Sequence, residues 1–111
     1  LKVRKYLDDV RFARSWVESR LANKPRSKKV IEYELRKKGI SSDLIRQTMP
    51  QYFPDDQIEI ETACLLAEKK LRLLGKYPKK ERELKLLKYL SGKGFSYQIS
   101  SSAIARTLDN N

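Results

Sequence analysis

Basic side chains concentrated in the first half of the chain are the residues best suited to a chemical role. Residues 1–54 contain 14 Lys and Arg against 6 acidic residues, and residues 55–111 contain 11 against 8, so the net charges are +8 and +3. Ammonium and guanidinium groups bind phosphates and carboxylates, so a total of +11 indicates a polyanionic or acidic partner. A solvated surface position is the simpler interpretation of any single cation, but the set favours a partner-facing patch. The predicted patch consists of Arg11, Arg14, Arg20, Arg26, Lys28, Lys29, Arg36, Lys37 and Lys38.

Residues suited to catalysis are scarce. The sequence contains no histidine, and so lacks the commonest metal ligand and the commonest general base. It has no metal-ligand spacing and no glycine-rich phosphate loop. The acidic residues Glu32 and Glu34 are interpreted as surface charge, and Asp55 and Asp56 as a helix start, rather than as catalytic pairs. We therefore expect a protein that is not an enzyme and that uses no metal or other cofactor.

The single cysteine and the apolar pattern indicate the cellular setting. Cys64 lies in an apolar helical run, cannot form an intramolecular disulfide, and is expected to be a small buried hydrophobe. No apolar run approaches the roughly 20 residues that a membrane-spanning helix needs, so no membrane partner is expected. These features favour a reducing, cytoplasmic location.

The first half of the sequence predicts three helices that would carry the basic patch. Apolar residues at helical spacing mark the first helix, which is expected to begin at the acidic residues 8–9, where carboxylates can accept from free backbone N–H groups. Ser27 is expected to cap the second helix, and Gly39 to end it in the left-handed conformation. Ser41 or Ser42 would cap the third.

The second half of the sequence predicts the same order of elements. A fourth helix is expected from Asp56 to about Leu74, with Gly75 in the left-handed position at its end. Pro78 would lie at or just before the first turn of the fifth helix. Ser96 would cap the sixth.

A turn motif links the two halves as repeats. Residues 38–41 read Lys-Gly-Ile-Ser, and residues 93–96 read Lys-Gly-Phe-Ser. We expect Ile40 and Phe95 to be wedged between the second and third helices of their units. The sequence thus predicts an all-α fold of tandem three-helix repeats. The predicted ranges are 1–7 for the remnant of a preceding segment, 8–54 for the first repeat and 55–111 for the second.

Two further features have alternative interpretations. Trp16 lies among apolar neighbours and is expected in the core, with base stacking or partner anchoring as the alternative. The second and third helices also resemble a helix-turn-helix, whose last helix would read DNA bases. Only Arg46 and Gln47 could read bases there, and Asp43 would face phosphates unfavourably. This argues against sequence-specific DNA reading.

A set of residues spread over the first repeat carries a family pattern. Its members are Leu7, Asp8, Asp9, Phe12, Ala13, Trp16, Arg20, Pro25, Ser27, Ile31, Glu34, Leu35, Lys38, Gly39, Ile40 and Ile45. This pattern resembles the middle repeat of the RecX family, the regulators of the RecA recombinase. Residues 56–108 are similar to the following, more divergent repeat. The family usually has an earlier repeat, so the resemblance implies that this chain is a carboxy-terminal portion.

The resemblance implies an all-helical regulator without catalytic activity. Such proteins bind the RecA–DNA filament along its groove, inhibit strand exchange and the coupled ATPase, and promote filament loss. We expect a monomer whose nine patch residues contact RecA, DNA phosphates or both, and those residues are nominated from charge and position alone. The alternative is a DNA-binding helical module without a recombinase partner.

Overall fold

Six helices build the described part of the chain. The computed structural model describes residues 2–109, and none of these residues lies in a strand. Leu1, Asn110 and Asn111, which fall within the first and last predicted ranges, lie outside the described residues. The chain forms two compact units, Leu1–Asp55 and Asp56–Asn111, with three helices in each, so the predicted all-α fold of tandem three-helix repeats is confirmed. The helices are α1 (Lys2–Asn23), α2 (Lys28–Lys37), α3 (Ser42–Tyr52), α4 (Gln57–Leu71), α5 (Lys79–Gly92) and α6 (Tyr97–Asp109).

The first unit is held together by one apolar stripe from each of its helices. Full burial of a Val, Leu or Ile side chain contributes about 1.5–3 kcal/mol, so this core is the main stabilising element of the unit. As predicted, Ser27 caps α2, since its hydroxyl oxygen accepts from the Val30 N–H at 3.2 Å. The core side chains are Ala13, Val17, Ile31, Leu35, Ile40, Leu44, Ile45, Met49 and Phe53.

The second unit has its own core, in which α4 packs most extensively on α6. Ala63, Ala67 and Ala103 are fully buried, and their small side chains allow the helices to approach closely. Cys64 is buried as predicted, with its Sγ 3.8 Å from the Ala103 carbonyl oxygen. The larger core side chains are Leu71, Leu74, Leu86, Leu90, Phe95, Ile99 and Ile104.

The turn between α2 and α3 depends on one glycine. Gly39 has φ of +89°, the left-handed conformation that L side chains rarely adopt. This conformation turns the chain so that the Ile40 N–H donates back to the Leu35 carbonyl at 3.0 Å, and the Ile40 side chain is buried. Ser41, rather than Ser42, then caps α3 by accepting from the Leu44 N–H at 3.2 Å.

The turn between α5 and α6 repeats this geometry. Gly94 has φ of +98°, and the Phe95 N–H donates to the Leu90 carbonyl at 3.2 Å. Phe95 is buried, and the Ser96 hydroxyl accepts from the Ile99 N–H at 3.2 Å. The similarity between the two turn sequences therefore reflects the same backbone structure.

The first helix begins earlier than predicted. It runs unbroken from Lys2 to Asn23, so the acidic residues 8–9 lie within α1 and do not cap its start. Lys5 pairs with Asp9 one turn later, with 3.3 Å between Nζ and Oδ2, which supports a helix in this region. The Tyr6 hydroxyl also donates to Gln47 Oε1 at 3.2 Å and links these early turns to α3.

The fourth helix ends earlier than predicted. It stops at Leu71, where the N–H groups of Leu73 and Leu74 donate to carbonyls only three residues back, at 2.9 Å each. This tighter turn brings Leu74 into the core. The prediction for Gly75 was wrong, because among the described glycines only Gly39 and Gly94 have positive φ.

Replacement of Gly39 tests the role of the left-handed turn. An added Cβ would meet no atom within 4 Å, so Gly39→Ala should destabilise the chain only through its backbone conformation, by about 1 kcal/mol. Gly92→Ala is the matched control, since Gly92 ends α5 with equal space and without positive φ. Urea unfolding followed by circular dichroism should show a lower free energy of unfolding only for the Gly39 variant. Equal stability of the two variants would contradict the role assigned to the left-handed turn at Gly39.

Candidate partner-binding surface

The outer face of α2 presents cations around an exposed tyrosine. Ile31 and Leu35 face the core one turn apart, and this orientation directs the opposite face of the helix to solvent. Lys29, Tyr33 and Lys37 follow one another at four-residue spacing on that outer face, with Arg36 beside them. Tyr33 is 55% exposed, and Lys37 Nζ lies 5.7 Å from the centre of its ring. We call Lys29, Tyr33, Arg36 and Lys37 the α2 stripe.

The cations of the α2 stripe keep their charge available. Within residues 2–109, none of Lys29, Arg36 and Lys37 forms an ion pair with a carboxylate. Arg36 and Lys37 occupy the last turn of α2, where the helix dipole stabilises positive charge. The stripe is therefore a continuous cationic surface suited to an acidic or phosphate-bearing partner.

A second group of predicted patch residues surrounds Trp16. Arg20 lies over the indole ring with its guanidinium carbon 4.8 Å from the ring centre, and Lys38 Nζ lies at 5.2 Å. Glu34 Oε1 accepts from Trp16 Nε1 at 3.0 Å and from Arg20 Nε at 2.9 Å. We call Trp16, Arg20, Glu34 and Lys38 the Trp16 cluster. The cluster joins α1 to α2, and its Glu34 carboxylate neutralises one of its two cations, Arg20.

The Trp16 cluster corrects two predictions. Trp16 is only half-buried and does not belong to the core, because its indole N–H and ring face are satisfied by polar and cationic groups at the surface. Phe12, which stacks on it at 5.7 Å between ring centres, is 40% exposed. Glu34 is not merely surface charge, since it accepts both hydrogen bonds of the cluster.

Arg14 faces α3. The Tyr52 hydroxyl donates to Glu18 Oε2 at 2.5 Å. The hydrogen bond between Tyr52 and Arg14 raises the pKa of the Arg14 guanidinium above its ordinary value. Burial, and then the bond to Glu18, raise the pKa of Tyr52 above its ordinary value, so the phenol stays protonated as a donor. Arg14 thus belongs to a group of side chains that links α1 to α3.

The remaining patch residues lie apart from these groups. Arg11 and Arg20 are about two and a half turns apart on α1, which places them on opposite sides of that helix. In the loop before α2, half-buried Arg26 donates from Nη1 to the Pro25 carbonyl at 3.1 Å. Lys28 is half-buried in the first turn of α2. The structure therefore divides the nine cations among several surfaces, and all four residues of the α2 stripe are exposed.

Sequence reasoning missed Tyr33 as part of this surface. Its spacing of four residues from both Lys29 and Lys37 was a usable signal, because such residues are neighbours on a helix. Glu34 and Tyr52 carried no comparable signal. Their partners lie on another helix, so only the packing of α1 against α2 and α3 brings them together.

The two candidate base-reading residues on α3 contact neighbours within the unit. Arg46 pairs with Asp43 on the same helix, and Gln47 accepts from the Tyr6 hydroxyl. Base reading needs side chains that are free to reach base edges in the major groove. Both contacts are exposed, so the argument against sequence-specific DNA reading continues to rest on the scarcity of base-reading side chains.

Comparisons with known proteins identify the family. Residues 8–49 match the model of the second three-helix domain of RecX, and residues 57–104 match that of the third. The chain belongs to the RecX family. The Bacillus pumilus regulatory protein RecX is 34% identical over 109 residues, covering 98% of this chain and 41% of the relative. The Clostridium perfringens regulatory protein RecX is 35% identical over 112 residues, covering 99% of this chain and 51% of the relative.

A solved RecX structure has the same fold. The crystal structure of RecX from Lactobacillus salivarius matches with a TM-score of 0.81 and 27% identity, over 95% of this chain and 70% of that one. This RecX chain spans about half the length of the curated relatives it matches. The relatives are named as regulatory proteins.

Neither a membrane-spanning helix nor a metal-holding cluster occurs in the part of the chain that the structure describes. No helix within residues 2–109 is both long enough and apolar enough to cross a membrane. The same residues contain no group of three or more His, Cys, Asp or Glu placed to hold a metal ion.

Removal of the Glu34 carboxylate tests the Trp16 cluster. Glu34→Ala leaves the Trp16 and Arg20 donors without their acceptor, and should destabilise the chain by roughly 1–2 kcal/mol because the site is only partly shielded from water. Since Trp16 is the only tryptophan, its fluorescence should also shift to longer wavelength.

Glu32→Ala is the control for this experiment. Glu32 is half-buried on the same helix, and the structure of residues 2–109 shows it in no ion pair. Its removal should leave both urea unfolding and tryptophan emission close to those of the parent chain. A Glu34 variant indistinguishable from the Glu32 variant would show that the cluster does not stabilise the α1–α2 packing.

Proposed function

We propose that this RecX-family chain binds the RecA–DNA filament and inhibits recombinase activity, both strand exchange and the coupled ATPase, and so modulates DNA repair and recombination. The observation that carries the proposal is the α2 stripe, an exposed cationic surface that forms no ion pair with a carboxylate of residues 2–109, in a chain of this family. The chain acts by occupying the filament surface rather than by catalysing a reaction.

The α2 stripe has the chemistry that such a contact requires. Arg36 can bind a carboxylate or phosphate through two parallel hydrogen bonds, whereas Lys29 and Lys37 provide adaptable point charges on flexible stems. Tyr33 adds apolar area and a hydroxyl at the centre of the stripe, as is common in protein interfaces. Binding through this surface weakens as salt increases, because exposed charges are screened.

A second candidate function is DNA binding without a recombinase partner. The observation in its favour is that the α2 stripe suits DNA phosphates as well as acidic protein. Because only Arg46 and Gln47 could read bases and Asp43 would face phosphates unfavourably, such binding would be independent of sequence. The two functions differ in whether a RecA filament responds to the protein.

Neutralisation of the α2 stripe tests the proposal. The variant Lys29→Gln, Arg36→Gln, Lys37→Gln removes three positive charges while retaining good helix formers. At about 0.1 M salt, we expect the concentration needed for half-inhibition of the RecA ATPase on single-stranded DNA to rise at least about tenfold, because each contact is worth on the order of 0.5 kcal/mol.

The matched control removes the same charge from the second unit. Lys69, Lys80 and Arg106 are exposed, and their replacement by Gln should change inhibition less than about twofold. Electron microscopy of filaments with each protein provides an independent readout. If the parent chain binds bare DNA but leaves both filament structure and ATPase unchanged, the DNA-binding alternative is favoured. If the stripe variant inhibits as well as the control, the α2 stripe is not the contact surface.

A further inference from the structure

The second unit contains a basic cleft that lies outside the predicted patch. It opens between the end of α4, the turn that follows and the side of α5, with a volume of about 380 Å³. Leu74 is buried at its base. The side chains that line it are Lys70, Leu74, Tyr77, Lys85, Lys88 and Tyr89, and we call it the tyrosine cleft. Its lining includes no acidic residue.

Lysines lie over both aromatic rings of the cleft. Lys85 Nζ is 4.5 Å from the centre of the Tyr77 ring, and Lys76 Nζ is at 5.4 Å. Lys70 Nζ lies 5.3 Å from the centre of the Tyr89 ring. These contacts orient the ammonium groups towards the aromatic surface without neutralising them, because a ring has no net charge.

The two rings have fixed positions. Tyr77 and Tyr89 are half-buried and pack against the core of the second unit. The Tyr77 N–H also donates to the Leu74 carbonyl at 3.1 Å, which fixes the turn that carries this ring. A ligand therefore meets aromatic surfaces that need little ordering before they bind.

We propose that the tyrosine cleft binds a segment of single-stranded nucleic acid. Its lysines contact successive phosphates, and an unstacked base enters against Tyr77 or Tyr89. A base stacks more strongly on an aromatic ring than an exposed lysine does, so the ammonium moves from the ring to the neighbouring phosphate as the base enters. The site lies outside the α2 stripe, and the inference does not require the proposed action on RecA.

The lysines and the tyrosine rings of the cleft together favour a single strand of nucleic acid over an acidic peptide or a duplex. An acidic peptide would satisfy the lysines but would leave the ring faces without a flat partner. A duplex presents phosphates but keeps its bases stacked inside the helix, out of reach of the tyrosines. Aromatic platforms within a cationic groove are the general means by which proteins hold single strands without reading their sequence.

Oligonucleotide binding by the full chain, without recombinase, provides the test. The probe is a fluorescein-labelled oligothymidylate of about 15 nucleotides, within the range that small single-strand-binding folds cover. Fluorescence anisotropy should show at least tenfold weaker binding for Tyr77→Leu with Tyr89→Leu, and binding within about twofold of the parent for Tyr77→Phe with Tyr89→Phe, which retains the rings. For Lys85→Gln with Lys88→Gln, the slope of log K against log salt should become shallower by about 1.4, the value for two lost single-strand phosphate contacts.

Photocrosslinking uses the unmodified chain, so its result does not depend on whether a variant folds. An oligonucleotide containing 5-bromodeoxyuridine should crosslink to Tyr77 or Tyr89, and a chain with the neutralised α2 stripe should give the same crosslinks. Crosslinks found only elsewhere, or unchanged affinity of a folded leucine variant, would overturn the proposal. Equal competition by a duplex or by a polyglutamate peptide of the same charge would also overturn it, in favour of a general anion site.

Discussion

The left-handed turn at Gly39 is the constraint on which the orientation of the candidate surface depends. It ends α2, buries Ile40 and places Ser41 to cap α3, so the two helices pack with Ile31 and Leu35 turned inward. With that face buried, the opposite face of α2 must carry its lysines, arginine and tyrosine into solvent. The charged stripe is thus a consequence of how the apolar residues are packed.

Aromatic rings organise part of the surplus of positive charge. Within residues 2–109, lysine or arginine side chains lie over Trp16, Tyr33, Tyr77 and Tyr89. An ion pair would order a lysine and cancel its charge, whereas a ring orders it and leaves the charge in place. The lysines over Tyr33, Tyr77 and Tyr89 therefore keep their charge available to a partner.

The two units use one backbone plan to present different surfaces. Both contain the same glycine turn and serine cap, but the first unit exposes the α2 stripe and the second forms the tyrosine cleft. The difference arises where α4 ends at Leu71 and a short turn leads into α5, because this turn carries Tyr77 to the edge of the core. Two units with the same fold can thus present different binding surfaces, because the turns that connect their helices differ.

The sequence by itself determined the features that depend on neighbours along the chain. The serine caps, the turns at Gly39 and Gly94 and the helical periodicity each involve residues within about one turn of each other, so the three-helix repeats and the buried Ile40 and Phe95 could be predicted. Only the tertiary structure decided that α1 begins before residues 8–9, that Trp16 lies at the surface beside Glu34, and that Lys70 lies over Tyr89. In the last two cases the partners come from different helices, and in the first a contact with α3 supports the early turns of α1, so packing rather than local preference determines the outcome.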